Sequence, residues 1–269
     1  MKYDPIKNIF EKLIRKSRFL RVTFYKILDT LFLRAWYIHK ELNRIRKNLK
    51  DTISVYDAGC GFGQYTYFIS KKLQPCTLLS VDIKENWIDN LKPFFKNNEN
   101  ITFKVEDITE INYTNKFDLI LCVDVIEHIV NDQKVFNNFS NALKDNGYVV
   151  ISTPSIYGGS DAHEEDDESF IEEHARNGYS YEDIKSKAEK AGLEIENFKF
   201  SYGKFGTIAW RLAIKYPILL VNLSKIFIFI LPFYYLLTII PILSLMFLDI
   251  NTNNKVGTGI IVTLKKNQG

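Results

Sequence analysis

Two short stretches of this chain hold residues at spacings that could do chemistry. The first is Asp124-Val-Ile-Glu127-His128, which follows an apolar run. A helix starting at Asp124 would carry the second carboxylate and the imidazole three and four residues on, over one shared face. Such a group can hold a divalent cation, its oxygen-rich ligands favouring magnesium or manganese over a structural zinc. Without a metal, His128 can take or give a proton near neutral pH. The second stretch is Val55-Tyr-Asp57-Ala-Gly59-Cys-Gly61-Phe-Gly63-Gln64. Here an apolar strand ends in an acid, and three alternating glycines let the backbone turn tightly beneath a ligand. The dinucleotide pattern G-x-G-x-x-G fails, because its last position falls on Gln64. A strand-terminal acid before G-x-G-x-G suits a ligand that bears an ammonium and no pyrophosphate.

The elements that must position these residues are legible as alternating strands and helices. Leu78–Asp82 reads as a second strand ending in an acid, where doubly wound folds place a ribose-binding carboxylate. Residues 101–107 form a third, with Asp107-Ile108 at its end, and residues 117–124 a fourth, nearly unbroken in its apolar run. Asn146-Gly147 turns into a fifth, Tyr148–Ser152, which stops at Pro154. Helical patterns between them imply right-handed crossovers, a parallel sheet and ligands at the strands' carboxyl ends.

In order and spacing, Asp57-Ala-Gly-Cys-Gly-Phe-Gly63, Val81-Asp82, Glu106-Asp107-Ile108, Phe117-Asp-Leu-Ile and Gly147-Tyr-Val-Val-Ile-Ser-Thr-Pro154 resemble the class I S-adenosylmethionine-dependent methyltransferases over roughly residues 51–200 and the last strand. The resemblance implies a doubly wound, mostly parallel seven-stranded α/β sheet. It implies that Asp57, Gly59, Gly61 and Gly63 hold the methionine part of S-adenosylmethionine. Asp82 would accept the ribose hydroxyls, with Ile83 beside it. Asp107 would bond the adenine amine, Ile108 would pack the ring, and Cys122 would line the pocket near the sulfonium. Asp124-x-x-Glu127-His128 also resembles the metal-binding acid-x-x-Glu-His of the quinone-biosynthesis O-methyltransferases and the small-RNA 2′-O-methyltransferases. There a later histidine completes the site. His174 occupies the corresponding loop, ahead of a helix starting at Ser180, with His163 as its rival. The first ligand departs from the usual Glu, since Asp124 is shorter. Failing a metal, His128 or His174, beside Glu127, would act as general base.

Composition bounds the rest. The three cysteines, Cys60, Cys76 and Cys122, fit neither a disulfide frame nor a zinc site, and a reducing cytosol is the simplest setting. The basic N-terminus lacks the uninterrupted apolar core of a secretory signal. Residues 1–50 hold fourteen Lys and Arg against four Asp and Glu, a charge of +10 in a chain of +3, so the remainder carries −7. Their apolar residues recur three or four apart from Leu20 to Leu49. Three interpretations stand: a helical extension packed on its own domain, a membrane-surface helix drawn to anionic lipid, or a nucleic-acid arm. His39 is expected to be exposed on this basic helix, and the acidic run 164–168 to be a solvated loop over the pocket.

From Ile226 to Leu248 there are 23 residues without a charge, about 35 Å as a helix and enough to cross a bilayer. Yet residues 256–265 read as a final strand, which in the resembled fold pairs antiparallel with the strand near Ile195–Tyr202. It must return to the same sheet, which excludes an odd number of crossings. A two-helix hairpin would place Arg211 or Lys215 in hydrocarbon. The expectation is therefore an insertion over 205–250 that dips into one leaflet or lies along it, with Trp210, Tyr216, Tyr234 and Tyr235 at the interface. The competing expectation is a greasy lid or dimer interface.

The expected organisation is a basic helical extension (1–50), a methyltransferase domain (51–204 and 251–269) and a membrane-associating insertion (205–250). The expected protein is a cytoplasmic-face, peripheral or monotopic enzyme that O-methylates a lipophilic or lipid-linked small molecule, without nucleic acid as partner. The alternatives are an RNA 2′-O-methyltransferase, or a non-catalytic cofactor-binding membrane scaffold.

Overall fold

The computed structural model describes residues 17–49, 51–158 and 175–267, so His163, His174 and the acidic run 164–168 lie outside the described residues. Seven strands form one sheet: β1 (Ile53–Ala58), β2 (Cys76–Asp82), β3 (Ile101–Val105), β4 (Phe117–Val123), β5 (Leu143–Pro154), β6 (Leu193–Ser201) and β7 (Gly259–Lys266). Their order across the sheet is β3-β2-β1-β4-β5-β7-β6. The first five run parallel, and β7 lies antiparallel between β5 and β6. The doubly wound sheet and the antiparallel return are as the sequence predicts. The fifth strand is longer than predicted: Leu143 already pairs with Phe117, and a bulge carries the chain through Asn146 before Tyr148 meets Leu119.

Helices α1 (Arg18–Leu31), α2 (Leu33–Asn48), α3 (Gln64–Lys72), α4 (Glu85–Phe95), α5 (Asp132–Ala142) and α6 (Tyr181–Lys190) cover the two faces. Because strand side chains alternate, Tyr56, Ile120 and Val149 pack in one core cluster while Val55, Leu119 and Val150 pack in the other. The second cluster includes Tyr37, Ile38, Leu42 and Ile45 of α2. The segment from Leu33 onward is thus a packed extension, one of the three interpretations its pattern allowed. The apolar repeat does not make one helix, since Phe32 is extended and separates α1 from α2. His39 is a correction too. It is half-buried and stacked on Phe68 at 3.6 Å between ring centroids, and burial lowers its pKa to about 4.

Between β6 and β7 the chain forms two apolar legs. The first runs unbroken through α7 (Lys204–Trp210), a π turn (Arg211–Lys215) and α8 (Tyr216–Leu223). A 3-10 turn (Lys225–Phe229) leads into the second, α9 (Leu231–Asn251). The hydroxyls of Tyr234 and Tyr235 donate to the carbonyls of Leu212 and Ala213, each at 2.7 Å, in the π turn where helical hydrogen bonding is irregular. These two tyrosines, expected at the lipid boundary, pin the legs together.

The root of α9 is fixed by one buried carboxylate. Asp249 accepts the Tyr37 hydroxyl at 2.8 Å and the Gly206 amide at 2.8 Å, so α2, α7 and α9 meet on it. Removing it would strand the Gly206 amide away from water and leave the Tyr37 hydroxyl only the Asp249 backbone carbonyl at 3.0 Å. A stranded donor costs about 1–3 kcal/mol, and the cavity adds to it. Asp249→Ala is expected to lower stability by about 2–4 kcal/mol, read as a fall in Cm at unchanged m value in urea unfolding, with Asp249→Asn intermediate.

Candidate active site

The sheet brings the predicted acids to one end. β1 closes with Asp57-Ala58, and Gly59, Gly61 and Gly63 all take positive φ (79°, 52° and 80°) before α3 begins. L-residues rarely hold that backbone, and a Cβ on Gly59 would run into the Val125 side chain. Gly59 and Cys60 both donate to the Val81 carbonyl, at 2.9 and 2.8 Å, which lays the loop against the end of β2. Asp82, at that end, accepts the Gly61 amide at 3.0 Å and the Lys84 amide at 2.9 Å. It therefore ties the glycine loop to the β2–α4 connection. Phe62 stacks on Trp87 at 5.1 Å, and Lys84 Nζ lies 4.8 Å from the Trp87 ring centroid.

Asp57 is buried, and Thr66 donates to it at 2.6 Å. Burial pushes its pKa up to about 7; the Thr66 hydrogen bond opposes this and the charge of Asp82 adds to it. A buried carboxylate held this way is a receptor for a cation. Past β3, Asp107 is exposed and accepts the Thr109 amide at 2.8 Å, while Ile108 is buried in the core cluster. Ile83 is exposed beside Asp82. Cys122 is fully enclosed with Ala58 and Ile126, and burial holds its thiol well above the ordinary range. The left-handed cradle, the buried carboxylate and the Asp82 clamp fit a ligand that carries an ammonium and a diol.

The Asp124–His128 stretch differs from expectation. Asp124 has φ 52° and only a single 3-10 turn, Ile126–His128, follows it. The common helical face is not formed: Glu127 is buried and accepts the Thr153 hydroxyl at 3.1 Å, while His128 is exposed. Burial raises the pKa of Glu127, opposed by its backbone hydrogen bond and by His128. Asp124 instead meets the guanidinium of Arg34 from α2. Among the described residues no group of three His, Cys, Asp or Glu comes together as a metal site. Arg34, Tyr65 and Tyr202 meet beside this stretch, a grouping that spacing did not reveal. Arg34 read only as one charge of a basic segment, and its partners lie 31, 90 and 168 positions away.

A family described as "Methyltransferase domain" matches residues 49–180. Malonyl-[acyl-carrier protein] O-methyltransferase 2 of Ilyobacter polytropus is 27% identical over 186 residues, covering 66% of this chain and 70% of that protein. Ubiquinone biosynthesis O-methyltransferase of Rickettsia akari is 26% identical over 122 residues, 45% of this chain and 48% of that protein, so the chain spans about half the length of that relative. Among solved structures, phosphoethanolamine N-methyltransferase 2 of Haemonchus contortus, in complex with phosphomonomethylethanolamine and S-adenosylhomocysteine, superposes with a TM-score of 0.60 at 18% identity. That match covers 96% of this chain and 59% of the other. The chain belongs to the class I S-adenosylmethionine-dependent methyltransferases. Its cofactor is S-adenosylmethionine.

The raised Asp57 pKa makes binding of an ammonium-bearing ligand depend on pH. Below about 7 the carboxyl is protonated and loses its attraction for the cation. The affinity for S-adenosylhomocysteine, measured by calorimetry, is expected to fall as pH drops from 8 to 6, up to about tenfold per pH unit. Asp57→Asn is expected to bind weakly at both pH values and to flatten the dependence.

Proposed function

We propose that this methyltransferase transfers the methyl group to an oxygen of a lipophilic or lipid-linked acceptor at a membrane surface. When bound, S-adenosylmethionine supplies an electrophilic methyl on a sulfonium. Asp57 and the glycine loop hold its methionine end, Asp82 with Ile83 its ribose, Asp107 and Ile108 its adenine, while Cys122, expected to line the pocket, lies enclosed in the core beneath it. Alignment of the acceptor oxygen with that methyl is then most of the remaining task. His128, exposed just past β4, and Glu127 behind it are the groups that take the acceptor's proton, with His174 as the second imidazole. The named relatives from Ilyobacter and Rickettsia are both O-methyltransferases, one of them in ubiquinone biosynthesis, which supports oxygen and a lipophilic acceptor.

The observation that carries the membrane half of the proposal is the outer face of α9. Phe233, Leu236, Leu237, Ile240, Phe247 and Leu248 are all exposed and form one stripe along a 21-residue helix, 18 residues of which have a mean hydropathy of 2.0. Phe229 and Leu223 extend the exposed apolar surface around the tip. A patch of this length on a soluble surface marks a binding face. Both ends of the insertion are held by adjacent strands of one sheet, and Asp249 ties the end of α9 to the domain. A helix so tethered suits lying along a leaflet better than crossing the bilayer, and residues 205–250 act as the membrane-associating segment.

Replacing Leu236, Leu237 and Ile240 together by Glu changes only exposed positions. The parent protein is expected to float with phosphatidylethanolamine–phosphatidylglycerol vesicles. The triple variant is expected to remain at the bottom of the gradient with an unchanged melting temperature, a loss of at least about tenfold in partitioning. Equal flotation of the two would remove the membrane assignment. Turnover to S-adenosylhomocysteine with a cellular lipid extract, abolished by Asp82→Ala, is the expected sign of catalysis; none in the parent protein would favour a scaffold.

A further inference from the structure

Arg34 leaves α2 toward the carboxyl end of β4 and reaches the centre of the site. Its guanidinium pairs with Asp124 and hydrogen-bonds the Tyr65 hydroxyl, with Glu127 close enough to add its charge. Its backbone amide donates to the Tyr202 hydroxyl oxygen at 3.1 Å, which leaves the Tyr202 proton to be given to another acceptor. The Nε–H of Arg34 is buried without any hydrogen-bond partner. The ion pair is nonetheless within reach of small molecules, since 30% of the Arg34 side chain and 35% of the Asp124 side chain stay accessible. A guanidinium with a spare N–H, flanked by two phenols able to donate, is the donor set of an oxyanion receptor.

The placement limits what that oxyanion belongs to. Tyr65 stands on the first turn of α3, just past the glycine loop. Asp124 and Glu127 lie just past β4, and Tyr202 follows β6 where the apolar insertion departs. The receptor therefore lies between the cofactor cradle and the insertion, where an acceptor with an apolar tail would put its polar end. We propose that Arg34, Tyr65 and Tyr202 bind the anionic head, a carboxylate or phosphate, of an amphiphilic methyl acceptor. Asp124 is the counter-ion that holds the guanidinium while the receptor is empty. This rests on the acceptor being lipophilic, as proposed above, but not on binding to a membrane.

The test uses the full chain saturated with S-adenosylhomocysteine, without vesicles, and three probes below their micelle concentrations: dodecanoate, dodecyl phosphate and dodecanol. By calorimetry the two anions are expected to bind at least about tenfold more tightly than the alcohol, and the better of them identifies the head group. Arg34→Met is expected to erase that preference and Arg34→Lys to keep part of it, each leaving S-adenosylhomocysteine affinity within about threefold. Tyr202→Phe, which keeps the ring and removes the hydroxyl, should weaken the anions alone and serves if Arg34→Met fails to fold. Equal binding of the three probes by the parent protein would overturn the proposal, as would a preference that survives Arg34→Met. A parallel loss of S-adenosylhomocysteine affinity would also overturn it, by assigning Arg34 to the cofactor's own carboxylate. Flotation results do not enter this outcome, so the membrane assignment and the anion receptor can fail separately.

Discussion

One buried carboxylate fixes how the parts outside the sheet relate to the site. Asp249 receives a hydroxyl from α2 and an amide from α7 while itself belonging to α9. An uncompensated buried charge is costly, and this one is satisfied only when all three helices are in place. Arg34 lies one turn before Tyr37 on α2, and Tyr202 lies four residues before Gly206, just ahead of α7. The carboxylate thus sets the distance between a cation and a phenol that come from opposite ends of the chain. The junction sits beside a shared core, in which Leu33 and Tyr37 of the extension pack with Ala209, Ile242 and Met246 of the insertion.

The sheet contributes a second constraint. Because β1 to β5 run parallel, their carboxyl ends gather Asp57, Asp82 and the Asp124 loop at one edge. Two acids end up close enough for the charge of Asp82 to raise the pKa of Asp57. A protein with no ligand to bind would gain nothing from this arrangement, which opposes ionisation of a buried group. The strain is relieved by a cation, and the same geometry that disfavours the empty site favours the cationic ligand.

Much of this was legible in local sequence. The glycine loop, the strand-terminal acids and the parallel order follow from motifs within a few residues, and the apolar insertion is visible as composition. What escaped was either long-range or hidden by propensity. Val-Ile-Glu-His after Asp124 has ordinary helical content, yet Asp124 adopts a left-handed backbone and pairs with Arg34, so the expected shared face never forms. Phe32 carries no breaker signal, and its extended conformation is fixed by the separate packing of α1 and α2. The hydrogen bonds of Tyr234 and Tyr235 were not visible either, because the carbonyls that accept them lie 22 positions earlier. His39 looked solvated because its neighbours are basic; the ring of Phe68 that covers it lies on another helix.

The π turn between α7 and α8 has a consequence for how one helix serves two surroundings. A π turn holds an extra residue, and each extra residue rotates everything beyond it by about 100° around the axis. Ahead of, within and just past the turn, Ala209, Ala213 and Pro217 are buried, while Tyr216, Leu219 and Leu223 on the other side are exposed. The extra residue sits within a rod whose buried row, Ala209, Ala213 and Pro217, runs from root to outer half. Removing a single residue there would leave the helix intact and re-aim its outer half.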